Sequence, residues 1–367
     1  MTTVVITTII ITVLCVFLRI LKRNRKTPIS NYADQSRYSR IIIFFIMATL
    51  IVVVGFRYSY EDTRNYKMAY NAIPENIDEM FAMSKSPGFD LIQWLLRLIS
   101  TDPQFICIAM AVIFTVIDVW FIRKHSYDFP LSLFMYFLLY FASNMNGLRQ
   151  GLAAVFLLPG FVWACRKRRA RYIALALLLS TIHRSVLIII PLMFLFSGKR
   201  LNTGLVIFAA FCCLSAFFPG PMNFLIGNLV SDDYAHYINT YAGQANVLHV
   251  LVEAVPLALG IIYHLGGTRT VVENRALDVL INMQVIRFSF MVLATRMAQY
   301  ARIGMYMRHV PLLLVPMIIP YIFKGKSGYY VKIIAAVLYL TEFLLEMYIS
   351  IKGGRLVLDF RILGFGV

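Results

Sequence analysis

An arginine in a polar break between two apolar runs is the first feature of this sequence that suggests chemistry. The stretch SNMNGLRQGLA, residues 143–153, places Arg149 there. On a helix, Asn146, Arg149 and Gln150 would share one face, because their spacing is i, i+3 and i+4. A guanidinium forks onto phosphate or carboxylate oxygens. We therefore take Arg149 as a candidate anion-binding residue, with Asn146 and Gln150 beside it.

Other polar stretches also contain Arg or His, in three of four cases together with Tyr, Asn or Gln. They are GFRYSYEDTRNYKMAY (55–70), STIHRS (180–185), SDDYAHYINTYAGQ (231–244) and ATRMAQYARIGMYMRH (294–309). His183 is a candidate general base or phosphate partner, because imidazole exchanges a proton near neutral pH. A histidine hydrogen-bonded to a neighbouring helix remains the alternative. The further candidates for ligand contacts are Arg57, Arg64, Asn65, Tyr66, Arg184, Arg296, Gln299 and Tyr300.

Some of these polar residues have a simpler explanation at a membrane boundary. An arginine at a helix end can reach lipid headgroups while its stem stays in hydrocarbon, which is the expectation for Arg97 and Arg308. Tyrosines at such boundaries are ordinarily interfacial anchors. A single arginine or tyrosine of this kind therefore does not indicate a ligand site, whereas several grouped together do.

The elements that must position these residues are membrane helices. Hydrophobic residues make up 60% of the 367, charged residues 14%, and the mean hydropathy is +0.73. These values exclude a soluble fold and predict an all-α, polytopic integral membrane helical bundle. The net charge of +17 comes from short basic clusters between apolar runs, so it predicts topology rather than nucleic-acid binding. The positive-inside rule then places the polar stretches opposite the cytoplasm.

The apolar segments predict about twelve crossings in a single transmembrane domain over residues 1–367, with both termini outside. Long segments lie at 2–21, 41–56, 104–122, 203–219, 247–265, 277–295, 304–323 and 331–350, and shorter ones at 129–142 and 148–165. The range 172–197 consists of two short apolar halves separated by STIHRS. This predicts a helix pair or re-entrant hairpin with His183 and Arg184 at its tip. External loops are expected at 57–90 and 220–246, with an interfacial helix at 88–100. The first run lacks a cleavage site and is read as a retained helix.

The cysteines and acidic residues do not show a metal-ligand spacing. Cys15, Cys107, Cys165, Cys212 and Cys213 all lie in or beside apolar runs, so neither a disulfide framework nor a zinc site is expected. The grouped arginines, amides and aromatics instead suit one chemical class, a lipid-linked diphosphate that carries sugars. Arginines would bind the diphosphate, aromatic and amide groups the sugars, and an apolar groove the lipid.

Four motifs in order resemble the EpsG-like, Wzy-type polysaccharide polymerases: FRYSYEDTRNY, SPGFDLIQWLLRL, NGLRQGLA and STIHRSVLIIIPLMFLF. The resemblance covers most of residues 50–200 and, more weakly, DDYAHY and RMAQY in the C-terminal half. Family members more often have Gly-Thr-Asp or a similar triplet where this chain reads YEDTRNY, so a role for Asp62 is less directly implied.

The resemblance implies a multi-pass enzyme of the bacterial inner membrane that polymerises undecaprenyl-diphosphate-linked repeat units on the outer face. Its partners would be that lipid-linked glycan and membrane lipids, with a chain-length regulator left open and no cofactor. Arg149, with one or more of Arg57, Arg184 and Arg296, would neutralise the departing diphosphate without a metal. His183 or Asp62 would take the acceptor proton. A transporter or flippase of lipid-linked sugars and a membrane O-acyltransferase remain the alternatives.

Overall fold

The computed structural model describes residues 2–23, 37–218, 247–266 and 275–358. Over these ranges the chain is almost entirely helical, so the prediction of an all-α polytopic membrane protein is confirmed. Seven described helices are long and apolar enough to cross a membrane, or eight with one bent pair, and shorter apolar helices lie at Phe129–Tyr140, Arg184–Phe196 and Thr203–Phe217. The exact number of crossings stays a prediction. The external loop expected at 220–246 lies outside the described residues.

The described helices are numbered α1 to α17 in chain order. They are α1 (Thr2–Arg23), α2 (Arg37–Gly55), α3 (Thr63–Asn71), α4 (Ile77–Met83), α5 (Pro87–Arg97), α6 (Gln104–His125), α7 (Phe129–Tyr140), α8 (Leu148–Phe156), α9 (Leu158–Cys165), α10 (Arg169–Leu179), α11 (Ile189–Phe196), α12 (Thr203–Phe217), α13 (Val247–Leu265), α14 (Arg275–Ala294), α15 (Gln299–Ile303), α16 (His309–Ile322) and α17 (Lys326–Lys352). Short 3₁₀ turns occupy Ser143–Met145, Arg184–Ile188 and Gly304–Met307. Two-residue strands, β1 (Ser59–Tyr60) and β2 (Leu356–Val357), pair antiparallel.

The chain divides into two compact units. Unit 1 consists of Met1–Leu158, Leu177–Val186 and Tyr329–Val367, and unit 2 of Pro159–Ala176 and Leu187–Gly328. In unit 1, α2 packs on α1 and α6, and α6 packs on α8. In unit 2, α14 packs on α12, α13 and α16. The expected single domain over 1–367 stays a prediction.

Polar residues within unit 1 tie its helices together. Lys332 of α17 donates to Asp128, directly before α7, at 2.6 Å, and both side chains are largely buried. Asp128 precedes a proline in the first turn of α7, a position where a helix readily begins. All five cysteines of the chain lie in described segments and are free, so no disulfide joins these segments.

The predicted external segment at 57–90 folds into short helices, and the helix expected at 88–100 is present as α5. Pro87 occupies its first turn, where the missing N–H has no helical partner to lose. Arg97 does not depend on a lipid headgroup as its partner: its Nη1 donates to the carbonyls of Tyr70, Asn71 and Ile73 at 2.7–3.2 Å. It therefore satisfies carbonyls at the end of α3, which otherwise lack donors.

Arg308 also differs from the expectation of a lipid-facing helix end. Its side chain is only 1% exposed, at the start of α16 in unit 2. The prediction that it reaches lipid headgroups is therefore wrong, because surrounding protein, rather than lipid, covers the guanidinium.

The predicted helix pair around STIHRS is present. α10 ends at Leu179, residues 180–183 form a turn, and the 3₁₀ turn Arg184–Ile188 leads into α11. His183 and Arg184 lie at this break between the helices, as the sequence predicts.

Candidate active site

The backbone around Arg149 explains why that side chain is accessible. Gly147 adopts a left-handed conformation, with φ of 60°, and α8 begins at the next residue. A Cβ added at Gly147 would meet no atom within 4 Å, so the backbone angle rather than crowding favours glycine there. Arg149 follows in the first turn of α8 and is exposed. Its Nη1 donates to the Ser86 hydroxyl at 3.3 Å.

Helix α8 does not include Asn146, so the shared face predicted for Asn146, Arg149 and Gln150 is wrong. Asn146 is extended, and the left-handed Gly147 separates it from the helix. Gln150 is 5% exposed, whereas Arg149 points to an exposed surface. Among the described residues, Asn146 Oδ1 is buried without a hydrogen-bond partner. The tight turn, which spacing alone does not show, sends the three side chains in different directions.

Tyr66 of α3 lies against Arg149. Its hydroxyl interacts with the backbone N–H and with the side chain of Arg149. Burial raises the pKa of Tyr66, although the charge of Arg149 acts in the opposite direction. The hydroxyl is therefore neutral at physiological pH and places no negative charge beside the guanidinium. The Tyr66 ring packs edge-to-face on Phe89, with centroids 6.1 Å apart.

The segment before α5 holds Ser86 in place beside Arg149. Ser84 Oγ donates to Asp90 Oδ2 at 2.5 Å and accepts from the Ser86 backbone N–H at 3.1 Å. Gln93 donates to the other Asp90 oxygen at 3.1 Å. Asp90 thus organises this turn, which places the Ser86 hydroxyl within reach of Arg149.

The same segment contacts the turn that carries His183. The Gly88 backbone N–H donates to the Thr181 carbonyl at 3.0 Å. A Cβ at Gly88 would lie 2.3 Å from Thr181 Oγ1 and 3.1 Å from its carbonyl carbon, so only glycine permits this approach. His183 Nδ1 pairs with Ser185 Oγ at 2.7 Å, while Arg184 is exposed. Residues 86–88 therefore contact Arg149 on one side and the His183 turn on the other.

Arg57 occupies a different environment from the exposed arginines. Its side chain is 0% exposed. It donates through Nε to Thr63 Oγ1 at 3.1 Å, through Nη1 to the Val54 carbonyl at 2.6 Å, and through Nη2 to the Met145 carbonyl at 2.9 Å. The last bond fixes the 3₁₀ turn that leads into Gly147 and Arg149. These contacts support a positioning role for Arg57.

The remaining candidates of unit 1 lie at the start of α3. Asp62 is the N-cap residue of α3, is partly exposed, and its side chain makes no capping hydrogen bond. Arg64 and Asn65 in the first turn are exposed. Thr63 between them is buried and joins Tyr60 and Arg57 through its hydroxyl. The start of α3 is thus anchored by Thr63 and leaves its polar neighbours accessible.

The candidates of the C-terminal half lie in unit 2. Arg296 follows α14 and is exposed. Its guanidinium donates to the carbonyl of Ala216 in α12. Gln299 and Tyr300 begin α15 and are partly buried. Their contribution to a ligand site stays a prediction.

Sequence reasoning missed two sets of residues that the structure singles out. Ser84, Ser86 and Asp90 carry no distinctive local signal, because serines before a helix and an acid in its first turn are typical of an ordinary helix start. Glu253 and Arg287 were also missed, although a charged residue within a long apolar run is a usable signal. In the structure Arg287 forms a buried ion pair with Glu253.

The arrangement in unit 1 can bind an anion at a segment that also contacts the His183 turn. The exposed guanidinium of Arg149 and the hydroxyls of Ser86 and Tyr66 lie together at the start of α8, where the helix dipole also favours negative charge. The model of the EpsG family matches residues 40–357, and this range contains every residue of the site in unit 1. The chain belongs to the EpsG family. Family membership supports a polysaccharide-polymerase type of role for this multi-pass membrane protein.

Comparisons with curated proteins and with solved structures found no match to this EpsG-family chain.

Proposed function

We propose that this EpsG-family protein is a Wzy-type polymerase that joins lipid-linked oligosaccharide repeat units. It would transfer a growing glycan from an undecaprenyl diphosphate carrier to the non-reducing end of a second lipid-linked repeat unit, on the outer face of the bacterial inner membrane. The observation that carries the proposal is the exposed Arg149 beside Ser86 and Tyr66, in a region that contacts the His183 turn. The product is an O-antigen, capsule or exopolysaccharide chain.

The main task of the site is to stabilise the leaving group. The bond between the anomeric carbon of the donor sugar and the diphosphate oxygen breaks, so negative charge grows on the diphosphate. Arg149 can fork onto its oxygens, and donors held in place before reaction stabilise such charge without reorganising. Arg184 and Arg64 are exposed cations in the same unit that add to the positive potential. With arginines in this role, transfer proceeds without a divalent cation.

The acceptor sugar must lose a proton as its hydroxyl bonds to the anomeric carbon. His183, whose Nδ1 pairs with the Ser185 hydroxyl, is the first candidate to take that proton. Asp62, partly exposed at the start of α3, is the second candidate for the base. The proton leaves to solvent, and the carrier departs as the lipid diphosphate.

The experiment is complementation of a deletion strain, read as the length profile of the cell's glycan. Wild type restores a ladder, whereas Arg149→Ala and His183→Ala insert normally and leave single repeat units. Arg149→Lys restores little, because an ammonium cannot make the forked contact. Lys85→Ala is the matched control: it removes an exposed cation one residue from Ser86 and retains the ladder.

The outcomes separate the proposal from its alternatives. Full activity of Arg149→Ala at wild-type protein level would overturn the role of the arginine. Loss of even the single capped unit, with lipid-linked repeats retained on the cytoplasmic side, would indicate a flippase. An unchanged ladder that lacks acyl groups would indicate an O-acyltransferase.

A further inference from the structure

Unit 2 contains an ion pair inside two membrane helices. Glu253 lies in α13 and Arg287 in α14, each 8% exposed. Arg287 Nε donates to Glu253 Oε2 at 3.3 Å, and Nη2 pairs with Glu253 Oε1, so the guanidinium forks onto the carboxylate. Gln284, one turn earlier in α14, donates to Glu253 Oε2 and to its carbonyl, each at 2.9 Å.

The same guanidinium extends to a bend in the chain. Arg287 Nη1 donates to the Gly304 carbonyl at 2.6 Å and to the Met307 carbonyl at 3.3 Å. These carbonyls belong to the segment Gln299–Met307, which meets α16 (His309–Ile322) at 61°. A bent helix leaves carbonyls without their usual donors, and inside a membrane such groups need protein partners. Arg287 supplies two of them.

Stability alone is a poor account of this arrangement. Burying two charges is costly, and replacing a buried pair by apolar side chains is often neutral or stabilising. An apolar pair cannot donate hydrogen bonds to the Gly304 and Met307 carbonyls. The distinctive contribution of Glu253 and Arg287 is therefore a fixed backbone at the bend, with Glu253 orienting the guanidinium.

We propose that Glu253 and Arg287 are positioning residues that fix the bend after Gln299–Met307 and hold this segment in place for the lipid-linked substrate. The segment contains Gln299 and Tyr300 and lies shortly after Arg296. The substrate part of the proposal rests on the proposed polymerase function, whereas the fixed bend does not.

The test is the double variant Glu253→Met, Arg287→Met, purified in detergent beside wild type. Its thermal midpoint falls, but by no more than about 4 °C, because the desolvation cost of both charges disappears with them and offsets part of the loss of donors to the Gly304 and Met307 carbonyls. Amide hydrogen exchange over 299–307 nevertheless accelerates, and polymerisation of lipid-linked repeat units falls by at least about tenfold, chiefly through KM, because substrate contacts lose their fixed geometry. The matched control is Arg200→Met, Asp278→Met, which removes another ion pair of unit 2, at 2.8 Å, and leaves exchange at 299–307 and polymerisation unchanged.

The readouts also identify which statement has failed. Wild-type exchange over 299–307 in the double Met variant would overturn the fixed bend, and wild-type polymerisation with faster exchange would overturn the link to substrate. If the double variant does not fold, Arg287→Lys is the second test. Lysine retains a charge for Glu253, but its single nitrogen cannot span the carboxylate and both carbonyls as the three guanidinium nitrogens do. Wild-type exchange in Arg287→Lys would then overturn the fixed bend, and faster exchange would support it. A wild-type protein that does not polymerise would instead contradict the proposed function, and the exchange result would still stand.

Discussion

Arg57 and Arg149 show how differently two arginines of one unit are used. Arg57 is enclosed and bound to Thr63, Val54 and Met145, whereas Arg149 is exposed beside Ser86. A buried guanidinium that loses its contacts leaves carbonyls unsatisfied, and an exposed one does not. We therefore expect the first to affect folding and, under the proposed function, the second to affect catalysis.

This contrast predicts opposite outcomes for the two alanine variants. Arg57→Ala should lower the free energy of unfolding by about 2–4 kcal/mol, because three buried hydrogen bonds are lost. Arg149→Ala should change it by less than about 0.5 kcal/mol while abolishing polymerisation. Thermal unfolding in detergent, together with the glycan ladder, measures both. Equal destabilisation by the two variants would contradict the assignment of Arg57 as the positioning residue.

The Tyr66 hydroxyl predicts a smaller effect on activity. Tyr66→Phe removes its interactions with Arg149 but keeps the ring packed on Phe89. One such hydrogen bond is worth about 1 kcal/mol, which corresponds to about a fivefold loss of kcat/KM. Turnover with purified lipid-linked repeat units measures it, and Tyr58→Phe, an exposed tyrosine nearby, is the control. The same loss in both variants would indicate a general effect of the segment.

Helix α5 lies so close to the turn after α10 that a side chain added at Gly88 should clash with Thr181. Gly88→Ala places a methyl group against Thr181 and separates Ser86 from the His183 turn, so polymerisation should fall severalfold or more. Thr181→Ala removes the hydroxyl that lies closest to the added methyl group, but the Thr181 carbonyl carbon stays at 3.1 Å. The double variant Gly88→Ala, Thr181→Ala should therefore recover only part of the activity. The glycan ladder of the three variants tests this. Full activity of Gly88→Ala would show that the two elements need not meet.

At the scale of the whole molecule, two distant parts of unit 1 meet through a pair of short strands. Ser59 and Tyr60 pair with Val357 and Leu356, and the Tyr60 hydroxyl bonds the Ser350 side chain. Arg355 lies 3.7 Å from Glu61, but both are substantially exposed and such a pair contributes little. The backbone pairing is thus the main tie between the end of α17 and residues 59–60.

This tie predicts the result of a C-terminal truncation. A chain that ends at Gly354 lacks β2, so amide exchange over residues 57–63 should accelerate and polymerisation should decrease. A chain that ends at Leu358 retains both strands and is the control. Exchange at 57–63 that is identical in the two truncations would mean that β1 is held by other contacts.

The sequence by itself determined the class of this protein and the location of its polar motifs. Hydropathy and helical length are local properties, so the membrane helices, α5 and the break at His183 could be predicted from runs of residues. The roles of individual side chains could not. Arg57 and Met145 are 88 residues apart, and Arg149 and Ser86 are 63 apart, so local spacing carries no record of these contacts.

The tertiary structure was needed to show which polar groups are exposed and which hold the protein together. It separated Arg57 from Arg149, excluded Asn146 from the helix through the left-handed Gly147, and paired Glu253 with Arg287. The physical reason is the same in each case. Backbone polar groups inside a membrane must be satisfied within the protein, and which side chain can reach them depends on how the helices pack.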